Sequence, residues 1–122
     1  MKVLVIDNDS SLTATYCQVL QSSGNQAVAS NSVADALQLI KKTKFDVIIC
    51  GMLMPEQDGI DFLRAFKPLS NKNTKVIIFS SINNSEVMAA AKKLGAVDYC
   101  LKSDYSPYQI NEVLQKAIVV TK

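Results

Sequence analysis

The segment Asp46-Val-Ile-Ile-Cys-Gly-Met-Leu-Met-Pro-Glu-Gln-Asp-Gly59 contains the clearest structural signal in the chain. Its apolar first half, together with the preceding Phe45, predicts a buried strand over Phe45–Cys50. The polar second half ends in Asp58-Gly59, which predicts a turn into a short helix from Gly59 to Lys67. A buried strand followed by a helix is the repeating unit of a parallel sheet.

The same alternation continues on both sides of this segment. Further strands are predicted over Lys2–Ile6, Gln26–Ser30, Lys75–Phe79 and Val97–Leu101. Helix starts are predicted at the capping residues Asp9, Ser32, Asn83 and Ser106. Helix ends are predicted at Gly24, Pro68 and Gly95, with a polar loop over 70–74. Five strands alternating with five helices predict the α/β class, a parallel five-stranded sheet covered on both faces in one domain, residues 1–122.

Composition narrows the function classes. The chain has 122 residues, a net charge of +2 and lysines dispersed along the sequence, which argues against nucleic-acid binding. No apolar run approaches the roughly 18 residues needed to span a bilayer, and we expect a cytoplasmic protein without membrane contact. Histidine is absent, which excludes His-based catalysis, and we expect no enzyme activity. The three cysteines are interpreted as reduced packing residues, with Cys50 left open as a redox-sensitive thiol.

Polar residues follow the predicted strands at the edge where ligands bind in such folds. They are Asp7, Asn8 and Asp9, then Gly51, then Ser80 and Ser81, then Lys102. No glycine-rich phosphate loop follows the first strand, so a dinucleotide or P-loop site has little support. A flavodoxin or another small doubly wound domain remains the alternative arrangement.

Over essentially its whole length the chain resembles a response-regulator receiver domain of the chemotaxis-regulator kind. In that family the third strand ends in the phosphate-accepting aspartate, and Met-Pro and Asp-Gly follow at the spacing of Met54-Pro55 and Asp58-Gly59. The resemblance implies a flavodoxin-like doubly wound (βα)5 sandwich with strand order 2-1-3-4-5. It also implies that Asp7 holds the first acidic position.

The resemblance assigns roles to further positions. Ser80 matches the hydroxyl that contacts the phosphoryl group, and Lys102 matches the lysine that neutralises it. The partner face of relatives, formed by the fourth helix, fifth strand and fifth helix, corresponds here to Val87, Lys92, Tyr99, Tyr105 and Tyr108. Tyr99 matches the aromatic residue that moves with activation in relatives.

Three positions depart from the family pattern. Gly51 stands at the phosphoacceptor position, Asn8 replaces a second acidic residue that binds magnesium, and Ser103 replaces a proline after Lys102. Glycine offers no nucleophile. Because Mg²⁺ prefers carboxylate oxygens, we expect its binding at Asp7 to be weak or absent, with no other cofactor. A trans Lys102–Ser103 bond is expected, in a rearranged loop that displaces Lys102.

Other aspartates do not replace the missing carboxylate in this interpretation. Asp9 is predicted to cap a helix, Asp46 to lie at the opposite end of its strand, and Asp58 to shape the turn with Gly59. Asp7 and Lys102 could then form a structural ion pair without a present role in signalling.

These observations favour a pseudo-receiver, a module of two-component-type signalling that acts by protein–protein contact independently of phosphorylation. Its partner is expected to be a histidine kinase, an output domain or another signalling protein, and the domain to be a monomer or weak dimer. A small-molecule or anion sensor that uses Asp7, Asn8, Ser80 and Lys102 is one alternative. An ordinary phospho-accepting regulator with an altered residue 51 is the other.

Overall fold

Apolar residues on both faces of the strands place the sheet at the centre of the molecule. The computed structural model describes residues 1–67 and 73–119, and within them five parallel strands lie in the order β2-β1-β3-β4-β5. The strands are β1 Lys2–Ile6, β2 Gln26–Ser30, β3 Val47–Cys50, β4 Lys75–Ser80 and β5 Asp98–Leu101. The helices are α1 Ser10–Ser22, α2 Val33–Lys42, α3 Gly59–Phe66, α4 Ser85–Lys93 and α5 Ile110–Val119. The predicted fold class and strand order are therefore confirmed.

Alternation along each strand divides the core into two layers. In β1, Leu4 and Ile6 face the layer formed with α2, α3 and α4, whereas Val3 and Val5 face α1 and α5. Phe62 is fully buried in the first layer and Phe79 lies in the second. Both faces of the sheet are thus covered, as continuous apolar strands predict. In the described part of the chain, no helix combines the length and apolar character needed to cross a membrane.

Two of the four predicted helix N-caps, Asp9 and Ser32, are confirmed, and the other two differ from the prediction. Asp9 and Ser32 accept hydrogen bonds from the first turns of α1 and α2. The fourth helix is capped by Asn84 and not by Asn83, because the Asn84 side chain accepts from both Glu86 N and Val87 N at 3.0 Å. Strands β3 and β5 begin later than predicted, at Val47 and Asp98.

The segment before α5 also differs from the prediction. Ser106 and Gln109 form the expected capping box, but it opens a 3₁₀ turn over Pro107–Gln109, and α5 begins only at Ile110. A second 3₁₀ turn, Lys102–Asp104, follows β5 directly. Pro68 and most of the predicted loop 70–74 lie outside the described residues.

Gly59 allows the β3–α3 loop to fold back onto the end of β3. Its N–H donates to the Met52 carbonyl oxygen at 2.9 Å. A Cβ atom at Gly59 would lie only 2.7 Å from the Gly51 carbonyl oxygen and 3.1 Å from Met52 Cα. Both atoms belong to backbone, which cannot move aside cheaply, so this close approach requires glycine.

Charged side chains separate according to helix direction. Acidic residues occupy first turns, at Asp35, Asp61, Glu86 and Glu112. Basic residues occupy last turns, at Lys41, Lys42, Arg64, Lys92, Lys93 and Lys116. Each sign complements the helix dipole at its end. Since the helices run antiparallel to the strands, the acids gather at the carboxyl edge of the sheet and the bases at its amino edge.

We name these two ends the acidic pole and the basic pole. Strand and loop residues extend both of them, with Asp7, Asp9, Glu56, Asp58 and Asp104 at the acidic pole and Lys2, Lys44, Lys67 and Lys75 at the basic pole. Among described residues, the exceptions are Asp46 and Asp98 at the basic pole and Lys102 at the acidic pole. The lysines, dispersed along the sequence, therefore converge in space.

We predict that Gly59→Ala lowers the free energy of unfolding by about 2–3 kcal/mol, because the added methyl group meets rigid backbone. Urea unfolding followed by circular dichroism measures the loss. Gly51→Ala is the matched control, since its Cβ would meet chiefly the Asp7 side chain, which can shift. Equal losses in the two variants would contradict this explanation.

Candidate functional site

A cleft of about 440 Å³ opens at the acidic pole, between the carboxyl ends of the central strands. Its lining includes residues at or directly after the ends of β1, β3, β4 and β5, namely Asp7, Asn8, Asp9, Gly51, Ser80, Ser81 and Lys102. The structure thus brings together the polar residues that the sequence predicted at this edge. The rim is apolar, with Leu12, Leu53, Met54 and Pro55.

Asp7 is the central polar group of the cleft. It is buried, and its Oδ2 accepts a hydrogen bond from Lys102 Nζ at 2.6 Å. Its Oδ1 accepts from the Asp9 N–H at 3.0 Å. Both carboxylate oxygens are therefore bound by donors of the protein itself, and Lys102 neutralises the charge.

Asn8 adds a third donor to this network. With its amide nitrogen turned toward the two neighbouring acceptors, Asn8 Nδ2 donates to Asp7 Oδ1 at 3.3 Å and to the Leu53 carbonyl oxygen at 3.2 Å. An aspartate at this position would offer no such donor and would repel Asp7. The amide consequently stabilises the Asp7 carboxylate and ties the β1–α1 loop to the β3–α3 loop.

Gly51 lies beside this carboxylate, at the end of β3. It is buried, and its N–H continues the sheet pairing by donating to the Ile6 carbonyl oxygen at 2.8 Å. A Cβ atom here would lie 3.1 Å from Asp7 Oδ2, closer than ordinary van der Waals contact. A residue with a Cβ atom would therefore require the Asp7 carboxylate to move by a few tenths of an ångström.

The neighbouring aspartates are occupied elsewhere. Asp9 Oδ1 caps α1 by accepting from Leu12 N at 3.1 Å, and Asp58 Oδ1 caps α3 by accepting from Asp61 N at 2.9 Å. Asp46 lies at the basic pole, where it accepts from Lys2 N at 2.8 Å. These positions agree with the expectations for all three residues, including a structural role for Asp58 beside Gly59.

The donor set fits a divalent cation poorly. Mg²⁺ is held in proteins mainly by carboxylate oxygens, and Asp7 is the cleft carboxylate that is not used as a helix cap. That carboxylate is already paired with an ammonium group. Within residues 1–67 and 73–119, no group of three or more His, Cys, Asp or Glu side chains is arranged to hold a metal ion.

Asn31 belongs to the same network and was not singled out by the sequence. Its Nδ2 donates to the Asp7 carbonyl oxygen at 2.8 Å and to Thr13 Oγ1 at 3.3 Å. The only available signal was its place directly after β2, because the ends of neighbouring parallel strands meet at one edge. This amide fixes the backbone from which the Asp7 side chain projects.

The backbone of Ile82 links the cleft to the side of the domain. Its N–H donates to Ser80 Oγ at 3.1 Å, and its carbonyl oxygen accepts from the Tyr99 hydroxyl at 2.8 Å. Ser80 and Tyr99 are both buried. The Tyr99 ring is therefore turned into the protein and held there.

The other residues of the predicted partner face differ in accessibility. Tyr108 is exposed, with 75% of its surface accessible, and Val87 is partly buried. Tyr105 packs edge-on against Phe79, with ring centroids 6.0 Å apart. Lys92 forms a long ion pair with Asp98 at 3.8 Å. Tyr108 and Lys92 are thus the side chains that this face presents most openly.

Burial decides the chemistry of the nearby Cys50 and Tyr16. The Cys50 side chain is fully buried and donates to the Gly51 carbonyl oxygen at 3.2 Å. Burial raises the pKa of the Cys50 thiol, and the negative charges of Asp7 and Asp58 raise it further. Burial, with Asp7 and Asp9, likewise raises the pKa of Tyr16 to about 12. Cys50 is therefore a packing residue, and the redox-sensitive alternative is not supported.

The Lys102–Ser103 bond agrees with expectation, but the predicted displacement of Lys102 is wrong. The peptide bonds of the described residues include none in the cis form. The trans bond leads into the 3₁₀ turn Lys102–Asp104, and this turn leaves the Lys102 side chain directed at Asp7. Attraction between the two charges keeps the lysine in the cleft without a proline behind it.

Comparison with known proteins identifies relatives of the chain. The family model described as response regulator receiver domain matches residues 3–116. The transcriptional regulatory protein ZraR of Salmonella typhimurium is 31% identical over 121 residues, which are 98% of this chain and 27% of that protein. Sporulation initiation phosphotransferase F of Bacillus subtilis is 26% identical over 112 residues, 92% of this chain and 86% of that protein. The chain thus spans about a quarter of the length of the ZraR proteins it matches.

Solved structures show the same architecture. The chemotaxis response regulator CheY4 of Vibrio cholerae superposes with a TM-score of 0.85 at 27% identity, covering 95% of this chain and 97% of that one. The receiver domain of the Francisella response regulator 1452 superposes with a TM-score of 0.82 at 29% identity, covering 98% and 94%.

We predict a coupling free energy of about 1–3 kcal/mol between Asp7 and Lys102, because the pair is short and largely buried. A double-mutant cycle with Asp7→Asn and Lys102→Met, measured by urea unfolding, gives this value. The control pair is Lys92 and Asp98, which is longer and more exposed and should couple by less than about 0.5 kcal/mol. Similar couplings for the two pairs would contradict the prediction.

Proposed function

The chain belongs to the response regulator receiver domain family, a family of two-component signalling, and we propose that it is a pseudo-receiver that signals by protein–protein contact without being phosphorylated. The observation that carries this proposal is the closed network around Asp7. Lys102 and Asn8 bind the carboxylate, and Gly51 supplies the space in which it lies.

The absence of a nucleophile at residue 51 supports the proposal that the domain is not phosphorylated. We infer that Gly51 occupies the phosphoacceptor position, since it follows β3 directly and lies beside Asp7 in the cleft. Glycine cannot attack a phosphodonor or hold an acyl phosphate. Ser80 is no substitute in this proposal, because its hydroxyl oxygen accepts from Ile82 N and its side chain is buried.

The electrostatics of the cleft also support the proposal that the domain is not phosphorylated. Phosphoryl transfer in this family would require a cation to offset the charge of the incoming phosphate and the carboxylates. Asp7 is already neutralised by Lys102, so a divalent cation would have to displace a short ion pair before it could bind. We therefore propose that Mg²⁺ binds weakly or not at all and that the domain uses no cofactor and catalyses no reaction.

The surface around Tyr108 is our proposed contact for the protein partner. Tyr108 is one of the large apolar side chains most exposed in the described part of the chain, and amphipathic aromatics often anchor interfaces. Lys92, on α4 of the predicted partner face, adds a positive charge at the other end of that face, at the basic pole. The partner is proposed to be a kinase, an output domain or another signalling protein. We propose a cytoplasmic location, in keeping with three free thiols.

Without phosphate, the conformation of this face is set by internal contacts and by the partner. The Tyr99 hydroxyl donates to the Ile82 carbonyl oxygen, and the Ile82 N–H donates to Ser80 Oγ. We propose that these two hydrogen bonds hold the face in one conformation. The domain would then act as a fixed adaptor, to which a partner binds whether or not a phosphodonor is present.

We predict that the protein forms no stoichiometric, acid-labile adduct with acetyl phosphate and Mg²⁺, because it lacks a nucleophile and a competent metal site. Intact-mass spectrometry measures the adduct, and calorimetry measures Mg²⁺ binding. Asn8→Asp combined with Gly51→Asp restores two carboxylates and should bind Mg²⁺ at least about tenfold more tightly. The control, Asn8→Asp with Gly51→Asn, keeps the shape of residue 51 but should not accept phosphate.

An adduct on the unaltered protein would overturn the proposal and favour an ordinary phospho-accepting regulator. Thermal-shift measurements with phosphate and small carboxylates, run on the same samples, address the alternative of an anion sensor. A concentration-dependent rise in melting temperature that Lys102→Met abolishes would favour that alternative.

We predict that Tyr108→Ala weakens partner binding by at least about tenfold, because truncation removes an exposed aromatic anchor. Purified kinases and output domains of the source organism can be tested pairwise by biolayer interferometry, with and without acetyl phosphate. Gln18→Ala, an exposed change on α1, is the control and should leave affinity unchanged. Affinity that depends on acetyl phosphate would contradict the adaptor proposal.

A further inference from the structure

We propose that copies of this chain associate head to tail, with Leu53 at the acidic pole of one copy docking into a lysine-ringed crevice at the basic pole of the next. Both halves of this contact lie on the same molecule, at opposite edges of the sheet. The inference is independent of the proposed signalling role, since it uses neither the Asp7–Lys102 pair nor the face around Tyr108.

The acidic half is an apolar side chain that projects among negative charges. Leu53 is 61% exposed, although it is a large hydrophobic residue. Asp9 lines the same cleft, and Glu56 is exposed three residues along the loop. The exposed part of this leucine can add apolar area to a contact with another surface.

The conformation of the Leu53 loop is fixed by three contacts. The Leu53 carbonyl oxygen accepts from Asn8 Nδ2 at 3.2 Å. Gln57 N donates to the Pro55 carbonyl oxygen at 2.7 Å, which closes a tight turn around Glu56 at a φ of 68°. Gly59 ties the end of the loop to Met52. A loop that is ordered before binding loses little conformational entropy in a complex.

The basic half is a crevice of about 270 Å³ between the end of α2 and the start of β3. Ile40 is the partly exposed apolar side chain of this lining, and Phe45 and Ile48 lie buried beneath it. Lys41, Lys42 and Lys44 are exposed around it, and the neighbouring acidic residue Asp46 is already bound to Lys2 N. The crevice therefore offers a small apolar surface at Ile40 beside three positive charges, which complements Leu53 with Asp9 and Glu56.

The charge distribution favours a second copy over a foreign polyanion as the occupant. The whole chain carries a net charge of only +2, so its long-range attraction to nucleic acid or an anionic membrane is weak. The poles lie roughly 20 Å apart along the strands, beyond the screening length of about 8 Å at physiological salt. Each pole therefore acts locally, and the apolar surface beside the lysines is complemented by a leucine among carboxylates, whereas a polyanion would leave it without an apolar partner.

This contact would be heterologous, because different surfaces of the two copies meet. Contacts of this kind build open filaments unless the rotation between successive copies closes them into a ring. The area around one leucine and a few charges is small, so the association should be weak and sensitive to salt. The side of the domain that carries Tyr108 stays free in each copy.

Complementation between two variants tests the proposal. The head variant carries Leu53→Ser and Glu56→Lys, and the tail variant carries Lys41→Glu, Lys42→Glu and Lys44→Glu. We expect the unaltered protein to self-associate at low salt and to weaken at least about tenfold at 0.5 M salt, as followed by analytical ultracentrifugation. Each variant alone should be monomeric.

An equimolar mixture of the two variants should form dimers, since the tail variant keeps an intact head and the head variant keeps an intact tail. These dimers should not grow into longer assemblies. Gln18→Glu, an exposed change between the poles, is the control and should associate like the unaltered protein. Circular dichroism confirms that each variant is folded.

The proposal is overturned if the unaltered protein stays monomeric at millimolar concentration and low salt, or if the mixture forms no dimers. Symmetric dimers that neither variant disrupts would also overturn it. Binding of DNA or of anionic vesicles by the unaltered protein, lost in the tail variant and without self-association, would identify the basic pole as a polyanion site instead.

Discussion

A short ion pair between Asp7 and Lys102 determines what the cleft can do. It joins the end of β1 to the turn after β5, across 95 positions of sequence, with the carboxylate almost fully buried. A buried charge must be paired, because an unpaired one costs several kcal/mol of desolvation, in the range of about 3–5 kcal/mol when one partner is removed. The residues around the pair are those that favour this state.

Gly51 and Asn8 each contribute to that state in a different way. Gly51 leaves the room that the carboxylate occupies, as the 3.1 Å approach of a hypothetical Cβ to Asp7 Oδ2 shows. Asn8 turns a position that could repel Asp7 into a hydrogen-bond donor. Gly51 and Asn8 therefore act together in the structure, and both favour the pairing of Asp7 with Lys102.

The scaffold around the cleft was largely predictable from sequence, because its signals are local. Continuous apolar runs such as Val3–Ile6 specified buried parallel strands, and Asp9 and Ser32 specified helix starts. Asn83 and Asn84 carry the same local signal, so only the geometry of the first turn distinguishes them. The start of α5 was misplaced because a capping box can open a 3₁₀ turn as well as an α-helix.

The finer features of the site depend on contacts between distant residues, which no local pattern encodes. The sequence placed Lys102 and Asp7 at one edge of the sheet, but it did not show that their attraction would hold Lys102 in place without a following proline. Similarly, lysines that are scattered along the chain form one pole only because helix ends and strand starts meet at the same edge.

The most direct measurement of the central claim is intact-mass spectrometry of the protein isolated from living cells at neutral pH, with acid treatment of half the sample. The account predicts one unmodified mass in both halves, because the Asp7–Lys102 pair and Gly51 leave no acceptor. A species heavier by one phosphoryl group that disappears on acid treatment would contradict it.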